Sequence, residues 1–541
     1  MSQIKSNIFF ESVLENIPRL LGQLDRNVLS RTYGSFDRAF WHYHSSDMNS
    51  SRFQEAILTL SLLWSTDFEG NRYFADQLLL DWINAAFAFT HTIQRADGSF
   101  DEWYPHEGSF VSTAFVTAAL SESLLILGAT KINNFRSHVA MLARSADLLS
   151  GREELLVQNQ FAGALLAMYN LGVLTGDKKY EMLFESMLTR FLSLQRSEGW
   201  WNEYGGPDIG YLSLTIDYLV KCYLKTNRPE IRESIKKASA FIINFLHPDL
   251  TVGGEYASRN TEYLIPSGFV MFARFDQNAL VISSFMQEAL VCKLGISPEK
   301  LDDRYLCYIL YNWLYAGISF SEIKNMPDIF SYFQFRRIDI FFSSSGIRIV
   351  QNSTYYFIIN LYKGGSFRLY AKGKVYFDSG IGVVYNGQKL ISGVLDQKNH
   401  ITSMPEYVSS EGLLHSIREY VFSSASFILS RLFGFTFGRI PLLQRLLKQY
   451  ARKKLIVGHD VSSVPFRRKI TLCADGIDVE DRIGSNLSRE KIYCGVKASY
   501  IFIPSSHYFL GRELNSNLLD VTESYSKVEG MTVIKRQFHI K

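Results

Sequence analysis

Three acidic–aromatic pairs recur along the chain at related spacings. Gln94-Arg95-Ala96-Asp97-Gly98-Ser99-Phe100-Asp101-Glu102-Trp103 returns 101 residues later as Gln195-Arg196-Ser197-Glu198-Gly199-Trp200-Trp201-Asn202-Glu203-Tyr204, and a shorter copy, Gly253-Gly254-Glu255-Tyr256, follows with its Glu 52 residues after Glu203. Carboxylates bind hydroxyl groups and move protons, and aromatic faces cover sugar rings. Two carboxylates across a glycosidic bond can serve as acid and base. Glu102, Glu203 and Glu255, with Asp208 behind them, are therefore candidates for hydrolysis. The third copy runs on into Ala257-Ser258-Arg259-Asn260-Thr261-Glu262-Tyr263, where Arg259 suits an anionic group and Tyr256, Asn260 and Glu262 suit a sugar. Tyr33 to Tyr43, with Asp37, Arg38 and Trp41, is similarly rich and reads as a further cleft wall. A plainer reading makes Phe100 and Trp201 core residues and the glutamates helix caps. Three copies converging on one face weigh for a site that also includes Trp103, Trp201 and Tyr204.

The elements that must position these residues are helical hairpins. Apolar residues recur at helical spacing over Phe53–Trp64, Tyr73–Thr92, Ser109–Leu127, Phe161–Leu174, Tyr180–Leu194, Tyr211–Tyr223 and Ala279–Leu294. The 101-residue offset fits two hairpins of about 50 residues each. Such hairpins cannot bury both faces alone, so they stack, and closing the stack into a ring sets equivalent loops around one mouth. The spacing predicts an (α/α) toroid over residues 1–330. From about residue 335 the pattern becomes short alternating runs, such as Ile338–Phe341, Ile347–Val350, Tyr355–Ile359 and Lys469–Leu472, with turns like Ala474-Asp475-Gly476. An antiparallel β-sandwich is expected over 335–541. A helical, apolar and basic insertion interrupts it at about 413–455. This insertion is expected to pack on the toroid or to contact a membrane or a protein partner.

The toroid, the Glu–aromatic loops and the run Lys363-Gly364-Gly365-Ser366-Phe367-Arg368-Leu369-Tyr370 to Gly380 together resemble the heparinase II/III type of polysaccharide lyase. Phe466–Ile470 with Asp475–Ile483 is similar to a sandwich segment of that family. The resemblance implies cleavage of an acidic polysaccharide by β-elimination. That reaction needs a neutraliser for the uronate carboxylate, a base for the proton beside it and an acid for the leaving oxygen. By motif position, Asn159 in Val157-Gln158-Asn159-Gln160 resembles the family's neutralising asparagine, and Tyr211 its tyrosine. Asn159 also suits an N-cap, given the helix that follows. Where relatives carry a histidine before the strand, this chain has Lys363-Gly364-Gly365. His106, after Trp103-Tyr104-Pro105, is the expected substitute base, with His400 behind it. A structural role suits His106 equally well.

Composition sets outer limits. With 57 basic and 53 acidic residues, a net charge of +4 does not suggest a nucleic-acid binder, and the expected partner is an oligo- or polysaccharide, most naturally an acidic one. The five cysteines form no C-x-x-C pair and read as buried free thiols. No His–carboxylate spacing is diagnostic of a metal, so no cofactor is predicted, and a structural divalent metal is left open. No basic-then-apolar leader opens the chain, and no uninterrupted apolar run reaches the roughly 18 to 20 residues of a membrane span. The expectation is a cytoplasmic protein, peripheral at the inner membrane at most. A non-catalytic glycan-binding or assembly role is the alternative to lyase and hydrolase.

Overall fold

A computed structural model describes residues 3–417, 423–440, 443, 446, 460–495 and 521–539. In chain order the first helices are α1 (Ile8–Gln23), α2 (Arg38–Trp41), α3 (Ala56–Ser65), α4 (Gln77–Ile93), α5 (Phe110–Leu127), α6 (Phe135–Ser150), α7 (Gln158–Thr175) and α8 (Lys178–Ser193). They are followed by α9 (Ile209–Thr226), α10 (Pro229–Ile242), α11 (Pro266–Phe272), α12 (Gln277–Val291), α13 (Asp303–Ile309), α14 (Tyr311–Phe320) and α15 (Ile329–Phe335). Among the described residues, six helices close an inner ring in which each packs on the next: α3, α5, α7, α9, α11, α14 and back to α3. Outside them α4, α6, α8, α10, α12 and α1 lie against their inner partners. The first helix of the chain thus covers the last inner one. Asn7, the N-cap of α1, donates to Gly317 O at 3.0 Å. A Cβ on Gly317 would fall 2.6 Å from the Phe10 ring, so only glycine lets the two helices meet here.

An inner helix is buried on every side and must be apolar all round, whereas an outer helix buries one stripe. Helix α5 illustrates this. Its 18 residues are apolar enough by composition to cross a membrane, a length the sequence reading did not credit, and 78% of it is buried in the ring. The polar side chains of the inner helices meet on the ring axis. Lys221 pairs with Asp217 at 2.6 Å, Lys225 of α9 with Glu122 of α5 at 2.7 Å, and Tyr315 of α14 donates to Glu122 at 3.1 Å. The first pair lies within α9, but the two bonds to Glu122 join helices that are not ring neighbours, which places them in the centre.

The helical part ends at Phe335 and the first strand begins at Ile338. Strands β1 (Ile338–Phe342), β2 (Ile347–Gln351), β3 (Tyr355–Asn360), β4 (Ser366–Ala371) and β5 (Lys374–Asp378) form an antiparallel meander. The second sheet, nine strands among the described residues, contains β6 (Ile381–Tyr385), β7 (Gln388–Ile391), β8 (His400–Ser403), β9 (Tyr407–Ser416), β10 (Val461–Cys473), β11 (Gly476–Ile483), β12 (Ile492–Cys494), β13 (Val521–Val528) and β14 (Met531–His539). Its order is β12-β6-β7-β9-β10-β11-β14-β13, with β8 on β9. Strands β3 and β4 are buried along their whole length. Phe357, Ile359, Phe367 and Leu369 face the second sheet, where they meet Val408, Ile470, Val479 and Phe538. The alternate residues Tyr356, Ile358 and Tyr370 join the core of the toroid. The period-2 alternation of a strand thus serves two cores at once.

Between the sheets Arg468 and Arg536 bridge Asp378 and Asp481, at 2.6 to 2.8 Å, and none of the four side chains is more than 1% exposed. The insertion begins later than expected, because residues 413–416 belong to β9. Its helix α16 (Ser424–Phe435) is described, whereas the run expected over 442–454 lies outside the described residues except at Leu443 and Leu446. Of the cysteines, Cys222 and Cys307 are buried, while Cys473 and Cys494 are partly exposed. Cys292 is exposed, which corrects the reading of five buried thiols.

Candidate functional site

The repeated Gln-x-x-x-Gly signature bolts each mouth loop to the next outer helix. Gln195 donates its side-chain amide to Gly199 O and to Ser234 O of α10, both at 3.0 Å, and Gly199, at φ 106°, lies so close that a Cβ would stand 2.3 Å from Lys237 O. Gln94 and Gly98 do the same against α6, through Met141 O at 2.7 Å and Ser145 Oγ at 2.8 Å. A third instance, Gly34 against Ala85 of α4 with Gln54 donating at 3.1 Å, opens Gly34-Ser35-Phe36-Asp37, which matches Gly98-Ser99-Phe100-Asp101 residue for residue. Its 64-residue spacing hides it from a search at hairpin period.

Beyond each glycine the chain turns inward at the mouth. Trp201 is core: it stacks on Phe191 at 5.0 Å and donates to Phe191 O. Tyr256 is core too, its hydroxyl bonded to His247 Nε2 at 2.8 Å. Both depart from the expectation of ligand contact, because the ring that follows the glycine must fill the hairpin. Asp37 is buried, caps α2 and accepts from Ser50 N at 2.8 Å, and Arg38 lies over the Tyr43 ring. Trp41 donates to Gln23 O at 2.7 Å. The wall expected at Tyr33–Tyr43 is therefore held by internal bonds. Trp103, by contrast, is 53% exposed, with the Arg304 guanidinium 4.4 Å from its ring centre.

The three glutamates have different fates. Glu203 accepts the backbone N–H of Asn159 at 2.8 Å and its side-chain amide at 3.2 Å, so the two candidates are one unit at the start of α7. Burial raises the Glu203 carboxyl well above its usual range. Glu255 and Glu262 both grip Arg368 of β4, Glu255 at 2.6 Å, and so join toroid to sandwich. Glu102 is buried beside Arg52, which sits between it and Glu55; Arg52 bonds Glu55 at 2.6 Å and lies 3.9 Å from Glu102. Burial pushes Glu102 up to about 7 and Glu55 up to about 6, and Glu102 Oε2 has no hydrogen-bond partner among the described residues. The Arg52 guanidinium lies 3.9 Å from the Tyr308 ring centre.

A second group gathers at Tyr211, on the first turn of α9. Asp208 caps that helix and also accepts from Arg259 N at 3.0 Å and from Thr261, tying the third loop to the second. Arg259 stacks over Tyr204 at 4.3 Å. Tyr204 itself sits at φ 57°, a left-handed conformation that a bulky residue adopts only where its surroundings hold it. Burial, with Tyr305 and Tyr204 close by, raises the Tyr211 phenol well above its ordinary value, so it keeps its proton. Tyr305 also contacts Tyr308, at 5.5 Å, which links this group to the Arg52 group.

From the sandwich side Lys363 enters. Its buried Nζ donates to Ala257 O at 2.5 Å and to Asn260 Oδ1, with Asn260 turned at φ 59°. Burial lowers the amine to about 7, with Arg259 pushing the same way and Glu255 and Asp208 opposing. A neutral amine has two N–H bonds and one lone pair, and two acceptors are present. Those two acceptors would take both N–H bonds, and the lone pair left over gives Lys363 the chemistry of a base, in a residue that is 2% exposed. His106 does not fill that role, because Arg95 Nη1 donates to its Nδ1 at 2.8 Å and occupies the lone pair that a base would use. His400 is exposed on β8. Among the described residues no group of three or more His, Cys, Asp or Glu side chains is placed to hold a metal.

Sequence reasoning missed Arg52, Arg304, Tyr305, Tyr308 and the role of Arg368. The arginine and tyrosines of the α13 segment lie outside the repeats, and only closure of the ring brings them to the mouth.

No protein-family model matches the chain, and no curated protein matches it. Solved structures do. The chondroitin AC lyase of Streptomyces coelicolor A3, solved with chondroitin sulphate, matches with a TM-score of 0.55 at 10% identity, over 98% of this chain and 76% of that one. A xanthan lyase of Paenibacillus matches with a TM-score of 0.53 at 10% identity, over 89% of this chain. The chain spans 46% of that lyase's length. At this identity the likeness is one of fold alone, and the chain shares the toroid-plus-sandwich fold of these two polysaccharide lyases.

Proposed function

We propose that this protein is a carbohydrate-active enzyme, a polysaccharide lyase that cleaves an acidic glycan by β-elimination. The observation that carries the reading is the placement of Tyr211 and Arg259, tied through Asp208, beside a near-neutral lysine, Lys363, which enters from the sandwich and bonds the turn on either side of Arg259. Arg259, stacked on Tyr204, would neutralise the uronate carboxylate with help from the Asn159 amide. Lys363 would take the proton beside the carboxylate, the bond to the leaving oxygen would break as the double bond forms, and Tyr211 would give its proton to that oxygen. Trp103 and Arg304 offer a stacking face for a further sugar.

The test is absorbance of the unsaturated uronate on a panel of acidic bacterial polysaccharides. Tyr211→Phe is expected to lower the rate by about 10²-fold or more, in keeping with loss of a positioned acid. The rate should rise with pH up to about 7, as Lys363 loses its proton, and level off above it. A flat profile through that range would remove Lys363 as the base. One observation favours hydrolysis as a second reading: Glu203 and Glu255 are engaged by Asn159 and Arg368, but Glu102 keeps an unbonded oxygen and holds its proton near pH 7. New reducing ends without absorbance, lost in Glu102→Gln, would move the chemistry there.

A further inference from the structure

Exposed large apolar side chains are scattered over most of this molecule, but on α16 and the turn after it they are concentrated. Phe427, Ile428, Leu429, Leu432, Phe435 and Phe437 are each 48% to 65% exposed. A continuous apolar surface of this kind marks a contact with another phase or molecule. The sequence around it identifies which. From residue 420 to 459 there are seven Lys or Arg and no Asp or Glu, in a chain whose charges otherwise nearly balance. Two copies meeting through this segment would repel, whereas an anionic lipid surface attracts it. At 12 residues α16 is about 18 Å long, too short for the roughly 30 Å hydrocarbon core, so its length suits lying on a bilayer and not crossing one.

The helix is seated on the toroid mouth. Arg431 bonds Asp47 at 3.1 Å, the Phe435 ring meets the His106 ring at 6.3 Å, and Gly434 approaches Pro105 O. The loop it rests on carries Trp103. We infer that α16 and the turn that follows it are a docking surface for an anionic membrane, and that docking holds the toroid mouth at the bilayer surface, where a membrane-borne glycan chain would enter it.

The experiment is sedimentation of the full chain with phosphatidylcholine vesicles, with and without phosphatidylglycerol, at rising NaCl. Binding is expected only with phosphatidylglycerol and to weaken with salt, and Leu429→Ser/Leu432→Ser should lower the partition coefficient by at least about tenfold, with unchanged melting. A Phe427→Trp variant, read by quenching with brominated lipid, gives a second measurement that needs no loss of binding. Quenching supports insertion of the helix. Absence of sedimentation, unaltered binding by the double variant, or a dimer that this variant dissolves would each overturn the assignment. None of these readouts depends on the reaction catalysed.

Discussion

Lys363 ties the chemistry of the site to the stability of the fold. Its amine titrates at about 7 when folded and at the ordinary 10.5 when free. Between those values the unfolded chain holds a proton that the folded chain has shed. Stability should therefore rise with pH from about 7 to about 10.5, by up to about 1.4 kcal/mol per unit. Urea unfolding of wild type and Lys363→Met across this range checks it: the variant should lose that slope, and parallel curves would exclude a buried amine. In the sequence Lys363 stood out only as a departure from a histidine. Its surroundings, the Ala257 carbonyl and the Asn260 amide, are about a hundred residues away, and no local pattern reports them. Tyr211 and Asn159 were legible as positions. That Asn159 is held by Glu203 was not, because one reading treated them as parts of a lyase and another as parts of a hydrolase.

At the scale of elements, the repeated glycines carry the architecture. Gly199→Ala would force a side chain into φ 106° and into the Lys237 carbonyl, so a loss of several kcal/mol is expected, beyond the roughly 1–3 kcal/mol of backbone strain alone. Thermal melting of Gly199→Ala beside Gly176→Ala separates the two contributions, since Gly176, at φ 66°, has open space around its Cβ position. The helical array was plain from apolar periodicity, and the strands from alternation, because both periods are local. Two things were not local. The third glycine motif at Gly34 sits off the hairpin period, and the burial of α5 on every side depends on the ring that closes around it. Trp201 suits a ligand contact or a core position on its sequence alone and Tyr256 suits a sugar, but in both the need to fill a hairpin prevails.

Across the whole molecule, buried arginines lock the parts together. Arg468 and Arg536 staple the two sheets through Asp378 and Asp481. Asp378→Asn leaves cationic charge uncompensated in the interior and should cost about 3–5 kcal/mol in urea unfolding. The Arg pair holds the Asp378 carboxyl below its ordinary range, so its stabilisation is present above about 4 and fades as pH falls through the lowered value. Arg368, gripped by Glu255 and Glu262, does the same between toroid and sandwich. Arg368→Met should lower stability by a similar amount and, because β3 and β4 share both cores, should leave a single unfolding transition rather than two. Two resolved transitions would show that the halves are independent.

The seam where α1 meets α14 has a consequence for synthesis. Phe9, Phe10, Val13 and Ile17 are made long before the groove that receives them, which includes Gly317 and Phe320. At about 5–20 residues per second the nascent chain waits on the order of 15 to 60 s for its own last inner helix to emerge. Throughout that interval α1 presents a bare aromatic stripe, the kind of segment a ribosome-associated chaperone would hold until the ring can shut.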